Sequence, residues 1–179
     1  MAKTRYIVLF RGVGGATQLP VKQLRQVLGD AGFEDVATYI NSGNAVLTSG
    51  DAEAKVTEKV AQAVRTHMGF EKAVMVRSLD HWQAMIDGNP YFDDAEAAPT
   101  TVHVFAMEHA VNAEAQQALA AKATGTERFW VEGRTLYLHT PDGMGRSLFA
   151  PKIEPTLKTA MTARNWRSML ALAKLARGD

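Results

Sequence analysis

No other stretch limits the fold as much as Ala37-Thr38-Tyr39-Ile40-Asn41-Ser42-Gly43-Asn44-Ala45-Val46-Leu47. Two apolar, strand-like runs flank Asn-Ser-Gly-Asn. Asn and Ser side chains bond the local backbone, and glycine takes positive φ without steric cost. The pattern therefore predicts a strand, a tight turn and a second strand running back beside the first. Upstream, Arg5-Tyr6-Ile7-Val8-Leu9-Phe10 is a continuous apolar run, which reads as a buried central strand. A helix is expected between them. Pro20 suits its first turn, Val21, Leu24, Val27, Leu28 and Ala31 share one face, and Gly32 stops it.

Beyond the turn, the strand at 44–48 leads into a second helix. Asp51 is placed to cap it, with Val56, Val60, Ala63 and Val64 at helical spacing. Ala73-Val74-Met75-Val76-Arg77 then reads as a strand. Strand, helix, strand, strand, helix, strand is the ferredoxin-like split unit. The second half echoes it. Ser78 caps a third helix, residues 91–99 form an acidic loop, and 101–105 is a strand. Asn112 caps an alanine-rich helix. Arg128–Val131 and Arg134–His139 make a hairpin around Glu132-Gly133, and Pro151 and Pro155 punctuate short helical pieces. Thr162 is expected to cap a final helix carrying Trp166, Met169, Leu170 and Ala173 inward.

For this half to complete a sheet it must borrow the strand at 73–77. The expected fold is α+β: two intertwined ferredoxin-like (β-α-β-β-α-β) modules sharing strands, plus a C-terminal helix. Residues 1–77 form the first module and 78–179 the second, within one compact structural unit.

Composition removes whole classes of function. The 179 residues include no cysteine, which excludes disulfides, zinc-thiolate sites and a Cys nucleophile. Five histidines stand apart, with no His-x-x-x-His or His-x-His pair, so no metal site is expected. No cofactor is expected either. No apolar run approaches the ~20 residues of a membrane helix, and no secretory segment precedes the first strand, so the expectation is a cytoplasmic protein without membrane partners. The net charge of +1 hides an asymmetry: residues 31–133 carry 7 Lys/Arg against 15 Asp/Glu, while 1–30 with 134–179 carry 13 against 4. A basic side would favour anionic ligands.

Two polar clusters could carry chemistry. Arg11-Gly12-Val13-Gly14-Gly15 sits between strand and helix, where a phosphate cradle belongs, but it has neither P-loop nor dinucleotide spacing. Thr162-Ala163-Arg164-Asn165-Trp166, read as a helix start, puts Arg164 where the helix field favours an anion. That suggests an anion supplied from outside or by a carboxylate elsewhere in the fold. Ser42 lies in no nucleophile elbow, and Asp93, Asp94 and Glu96 lack the alternation of a calcium loop. The strand at 44–48 has no aromatic, so RNA stacking of the RRM kind is poorly supported.

These residues also resemble a known family. Arg11-Gly12 with Val13-Gly14-Gly15, Gly32-Phe33, Thr38-Tyr39-Ile40, Ser42-Gly43-Asn44, Asn89-Pro90 and Thr162-Ala163-Arg164-Asn165-Trp166 are similar to the bacterial domain-of-unknown-function 1697 family, over nearly the whole chain. The resemblance implies an α+β fold of two intertwined ferredoxin-like modules and no established activity. One departure stands out. The family's loop is typically Arg-Gly-Ile-Asn-Val-Gly-Gly-Lys, whereas here it is two residues shorter and lacks the lysine.

The leading functional expectation is a small anionic ligand, a nucleotide or phosphorylated metabolite, bound by Arg11, Asn41, Ser42, Gly43, Asn44, Arg164 and Asn165. The alternatives are nucleic-acid binding by a basic C-terminal face over 146–177, or a structural or interaction protein in which the same residues serve folding. The sequence specifies neither a reaction nor an oligomeric state.

Overall fold

The structure is a computed structural model that describes residues 2–14, 17–40 and 43–179. Its first sheet is built from β1 (Thr4–Phe10), β2 (Glu34–Thr38), β3 (Asn44–Ser49) and β4 (Val74–Ser78), with α1 (Val21–Asp30) and α2 (Glu53–Met68) as the crossings. The strand order is β2-β3-β1-β4, and every neighbour is antiparallel. This is the ferredoxin-like arrangement that the element order predicts.

The strength of the β1 signal has a simple cause. Side chains alternate between faces, and both faces of β1 are buried. Tyr6, Val8 and Phe10 pack with Leu24 and Leu28 of α1 and with Val56, Val60 and Val64 of α2. Ile7 and Leu9 point the other way and are also buried. A strand buried on both faces cannot alternate, so it reads as a continuous run.

The helices of this module start and stop largely as expected. Pro20 is the N-cap of α1, and Gly32 follows the helix at φ +94. In α2 the expectation changes in detail. Ala52, not Asp51, holds the cap position. Asp51 instead ion-pairs with Lys59 at 3.0 Å and Lys55 at 3.5 Å. The Lys59 hydrogen bond, foremost, holds its carboxyl below the ordinary value.

The second half carries α3 (Leu79–Asp87), α4 (Phe92–Ala97), β5 (Val102–Met107), α5 (Ala113–Ala120), β6 (Arg128–Glu132), β7 (Thr135–His139), α6 (Ala150–Leu157), β8 (Met161–Asn165) and α7 (Trp166–Arg177). Its sheet runs β6-β7-β5-β8, again antiparallel throughout. From β5 to β8 the order is once more strand, helix, strand, strand, helix, strand. Phe105, Met107, Leu136 and Leu138 from the sheet meet Leu119 of α5 and Ile153 and Leu157 of α6 in a second core.

The two-module α+β architecture therefore holds, with three corrections. The modules share no strand among the described residues. The fourth strand of the second sheet is Met161–Asn165, not a strand borrowed from 73–77. Residues 162–165 are accordingly strand rather than helix start. Thr162 lies opposite Ala106 in the ladder, and the helix begins at Trp166. The acidic stretch at 91–99 is not an open loop, because Phe92–Ala97 closes into a helix that buries Ala95.

The compact units are Met1–Ala84 with Ala171–Asp179, and Met85–Leu170. The end of the chain returns to the first unit, where the Ala176 carbonyl accepts a 2.9 Å hydrogen bond from Arg5 Nε.

Candidate functional site

The residues expected to form a site divide between the two units. Asn41 and Ser42 lie outside the described residues. Gly43 and Asn44 seal the turn onto the sheet. The Gly43 carbonyl accepts from the Phe10 N–H at 2.8 Å, and Gly43 itself sits at φ +80. Asn44 is buried. It faces Leu9 in the ladder, and its Nδ2 donates to the Tyr39 carbonyl at 3.2 Å. The cluster read as a ligand wall is thus in part the closure of a hairpin.

Nearby, Arg11 and the glycine loop have also committed part of their hydrogen bonding. The Arg11 N–H donates to Ala73 O at 3.1 Å. Gly14 and Thr17 exchange N–H···O bonds of 2.6 and 3.0 Å. A phosphate cradle needs free backbone N–H groups pointing one way. Three donors of this segment, the N–H groups of Arg11, Gly14 and Thr17, are spent on protein carbonyls.

Arg164 and Asn165 lie at the end of β8. The premise that placed Arg164 in the first turn of a helix is corrected, because Arg164 is in a strand and the helix begins at Trp166. Its Nη1 donates to Thr162 Oγ1 at 2.7 Å and to Ala163 O at 2.8 Å. Burial pushes its guanidinium down to about 10. Asn165 is the true cap of α7: its Oδ1 accepts the Ser168 N–H at 3.0 Å. The sequence signal was present in Asn165-Trp166-Arg167-Ser168, but Thr162 offered a competing cap. Pairing with β5 decides between them. Replacing Asn165 with alanine is expected to cost about 1 kcal/mol, the usual worth of an N-cap. Thermal unfolding followed by circular dichroism should show that loss, and Asn165→Asp should recover it.

A second polar group in this unit went unread in the sequence. Arg128 Nη2 donates to Asp94 Oδ2 at 2.7 Å and to His139 Nδ1 at 2.9 Å, and its guanidinium lies 5.0 Å over the Tyr91 ring. Burial, foremost, raises the Tyr91 phenol above its ordinary value. Because Nδ1 of His139 accepts, the ring proton sits on Nε2. The group ties α4 to the β6–β7 hairpin. It was illegible because Asp94 belongs to a stretch that reads as solvated loop.

The feature best suited to holding a small molecule is a cavity of about 330 Å³ in the second unit. It lies between the segment after α5 and the turn that precedes α6. Three cations line it: Lys122, Arg146 and Lys152. Two carboxylates also line it, each with a hydroxyl partner: Ser147 Oγ donates to Glu127 Oε1 at 2.8 Å, and Thr126 Oγ1 to Asp142 Oδ2 at 2.9 Å. Lys122 reaches Thr156 Oγ1 at 2.9 Å. Arg146 and Lys152 are exposed, and among the described residues their side chains have no hydrogen-bond or ion-pair partner. Ser147 Oγ also accepts the Ala150 N–H at 3.0 Å, which sets the start of α6 at the rim. Of these residues the sequence reading reached only Arg146 and Lys152, as part of a broad basic face.

Fold and geometry together define a two-module ferredoxin-like α+β protein with a mixed-charge cavity in its second module. The chain belongs to the family described as "Protein of unknown function (DUF1697)", whose model matches residues 3–137. Among solved structures it is similar to the conserved bacterial protein SP0830 from Streptococcus pneumoniae. That likeness is at 22% identity with a TM-score of 0.72, covering 98% of this chain and 99% of that one. No curated protein matches the chain. Among the described residues, no helix is long and apolar enough to cross a membrane.

Proposed function

We propose that this protein binds a small anionic ligand, a nucleotide or phosphorylated metabolite, in the cavity of its second module. The observation that carries the reading is the pair Arg146 and Lys152. Two cations line one 330 Å³ cavity, and neither is neutralised by a protein carboxylate among the described residues. The volume falls at the low end of the ~300–1,000 Å³ of small-molecule pockets. Guanidinium supplies a planar fork for phosphate oxygens, and ammonium supplies a point charge. The first turn of α6 adds the positive end of a helix field.

The carboxylates of Glu127 and Asp142 give the reading its selectivity. They repel a ligand whose charge is spread over its whole surface, and they favour one with a single anionic end and hydroxyl or amino groups elsewhere. A long polyanion fits less well, which ranks nucleic acid below a mononucleotide or sugar phosphate.

The test is a thermal-shift panel of nucleoside monophosphates, sugar phosphates and inorganic phosphate, with a labelled oligonucleotide as a separate arm. At least one small phosphorylated compound should raise the melting temperature, by several degrees at saturating excess. Arg146→Ala/Lys152→Ala should abolish the shift while leaving the unliganded melting temperature within about 2 degrees, as expected for exposed side chains. No shift with any member, or one that persists in the double variant, rules the site out. Salt-sensitive retention of the oligonucleotide alone would transfer the function to nucleic acid.

A further inference from the structure

Strand β6 ends its sheet, and its outer edge is unpaired among the described residues. Sheet edges normally carry a feature that blocks further pairing. In the first module, β2 has one: the register shifts between Glu34 and Ala37, and Asp35 sits at φ 49. Strand β4 is mostly buried and β8 is half-buried. By contrast β6 keeps perfect register with β7 from Arg128 to Glu132, with no bulge. It also exposes Trp130, at 54% of its surface, while the other two tryptophans are at 0 and 1%.

We propose that β6 pairs antiparallel with the β6 of a second copy of this chain, about a twofold axis through Trp130. The sequence of the strand is self-complementary in that register. Arg128-Phe129-Trp130-Val131-Glu132 laid against itself sets Arg128 opposite Glu132 of the second copy, Phe129 opposite Val131, and Trp130 opposite Trp130. A twofold interface needs this self-matching. Opposite charges directly across a ladder stabilise it, and like charges destabilise it.

The backbone agrees with the side chains. Glu132 pairs with Thr135 across the two-residue turn Gly133-Arg134, with Gly133 at φ 55. The pair closing such a turn exchanges both hydrogen bonds, so bonded pairs alternate from there: Glu132, Trp130 and Arg128 point their N–H and C=O toward β7. Phe129 and Val131 therefore present theirs outward. The proposed register places outward Phe129 opposite outward Val131, which gives one bonded pair on each side of Trp130. The Trp130 pair then falls at a non-bonded position, where opposing side chains stand closest.

The charged ends are ready for this contact. Asp94 and the Tyr91 ring fix the Arg128 guanidinium, whose Nε and Nη1 bond nothing among the described residues. Glu132 is exposed and makes no ion pair there. Beside the strand runs an open groove of about 400 Å³ between β6 and α5, lined on the α5 side by Ala113, Gln116, Gln117 and Ala120.

Sedimentation velocity over a concentration series tests the pairing. Wild-type protein should shift from monomer to dimer as concentration rises. Its tryptophan emission should move to the blue with it, because Trp130 is the tryptophan left to bury. Glu132→Arg sets Arg against Arg twice and should raise the dimer dissociation constant about tenfold or more. Val131→Pro removes an outward N–H without touching the β6–β7 ladder and should yield monomer. Should Val131→Pro fail to fold, Glu132→Arg alone decides. A wild-type monomer at every concentration overturns the proposal, as does a dimer that Glu132→Arg leaves intact.

Discussion

Gly43→Ala is expected to destabilise the protein by about 3 kcal/mol, the sum of a strained backbone and an overpacked contact. A Cβ there would stand 2.8 Å from the Phe10 carbonyl oxygen, 2.8 Å from Val13 Cγ2 and 3.2 Å from Phe10 Cβ. The Val13 methyl can rotate away. The Phe10 carbonyl cannot, because Phe10 lies in the central strand and is held by its own N–H bond to Gly43 O. The φ of +80 adds strain even before the clash. Gly69→Ala is the control. Gly69 also has positive φ, at +64, but nothing lies within 4 Å of its Cβ position. It should cost only about 1 kcal/mol, the left-handed penalty alone. Urea titration of the pair should show a much larger loss of midpoint for Gly43, with the slope unchanged.

The second large effect is at Trp166. This side chain is 1% exposed, meets Phe92 edge-on at 6.2 Å between centroids, and donates from Nε1 to Glu96 Oε1 at 3.2 Å. Trp166→Ala should cost about 3–5 kcal/mol, since a fully buried indole leaves both lost burial and a cavity. Trp166→Phe keeps most of the apolar area and removes the N–H. It should cost about 1–2 kcal/mol, because the exposed Glu96 carboxylate can turn to water. Equal losses in the two variants, measured by chemical denaturation, would mean that the hydrogen bond rather than the packing holds Trp166.

How far these positions could be read from the sequence depended on how local their signals were. Val8 announced a buried strand because both its neighbours, Ile7 and Leu9, are apolar too. Gly32, Gly133 and Asn112 marked their turns and caps by chemistry confined to a few residues. The first module was therefore legible almost element by element. The second was not, and Thr162 and Asn165 show why. Each is a good helix cap, and only the ladder with Val102–Met107, some sixty residues away in sequence, selects Asn165. Misplacing that boundary removed a strand from the second sheet, which then had to be imagined as borrowed. It also turned Arg164 from a half-buried strand residue into a helix-start cation.

The site suffered in the same way. Gly43, Asn44 and Asn165 stand out in the sequence because closing a hairpin and capping a helix use the same polar residue types that bind ligands. Lys122, Glu127, Asp142, Arg146 and Lys152 carry no motif. Only the fold of the second module gathers them around one cavity.

Ligand-induced melting shifts in two variants separate these roles most directly. With the best phosphorylated ligand from the panel, Asn165→Ala should start from a lower melting temperature yet keep the full ligand shift. Arg146→Ala/Lys152→Ala should start near wild type and lose it. The reverse pattern, a shift lost with Asn165 and retained without Arg146 and Lys152, would contradict the assignment of architecture to the motif residues and of ligand binding to the cavity.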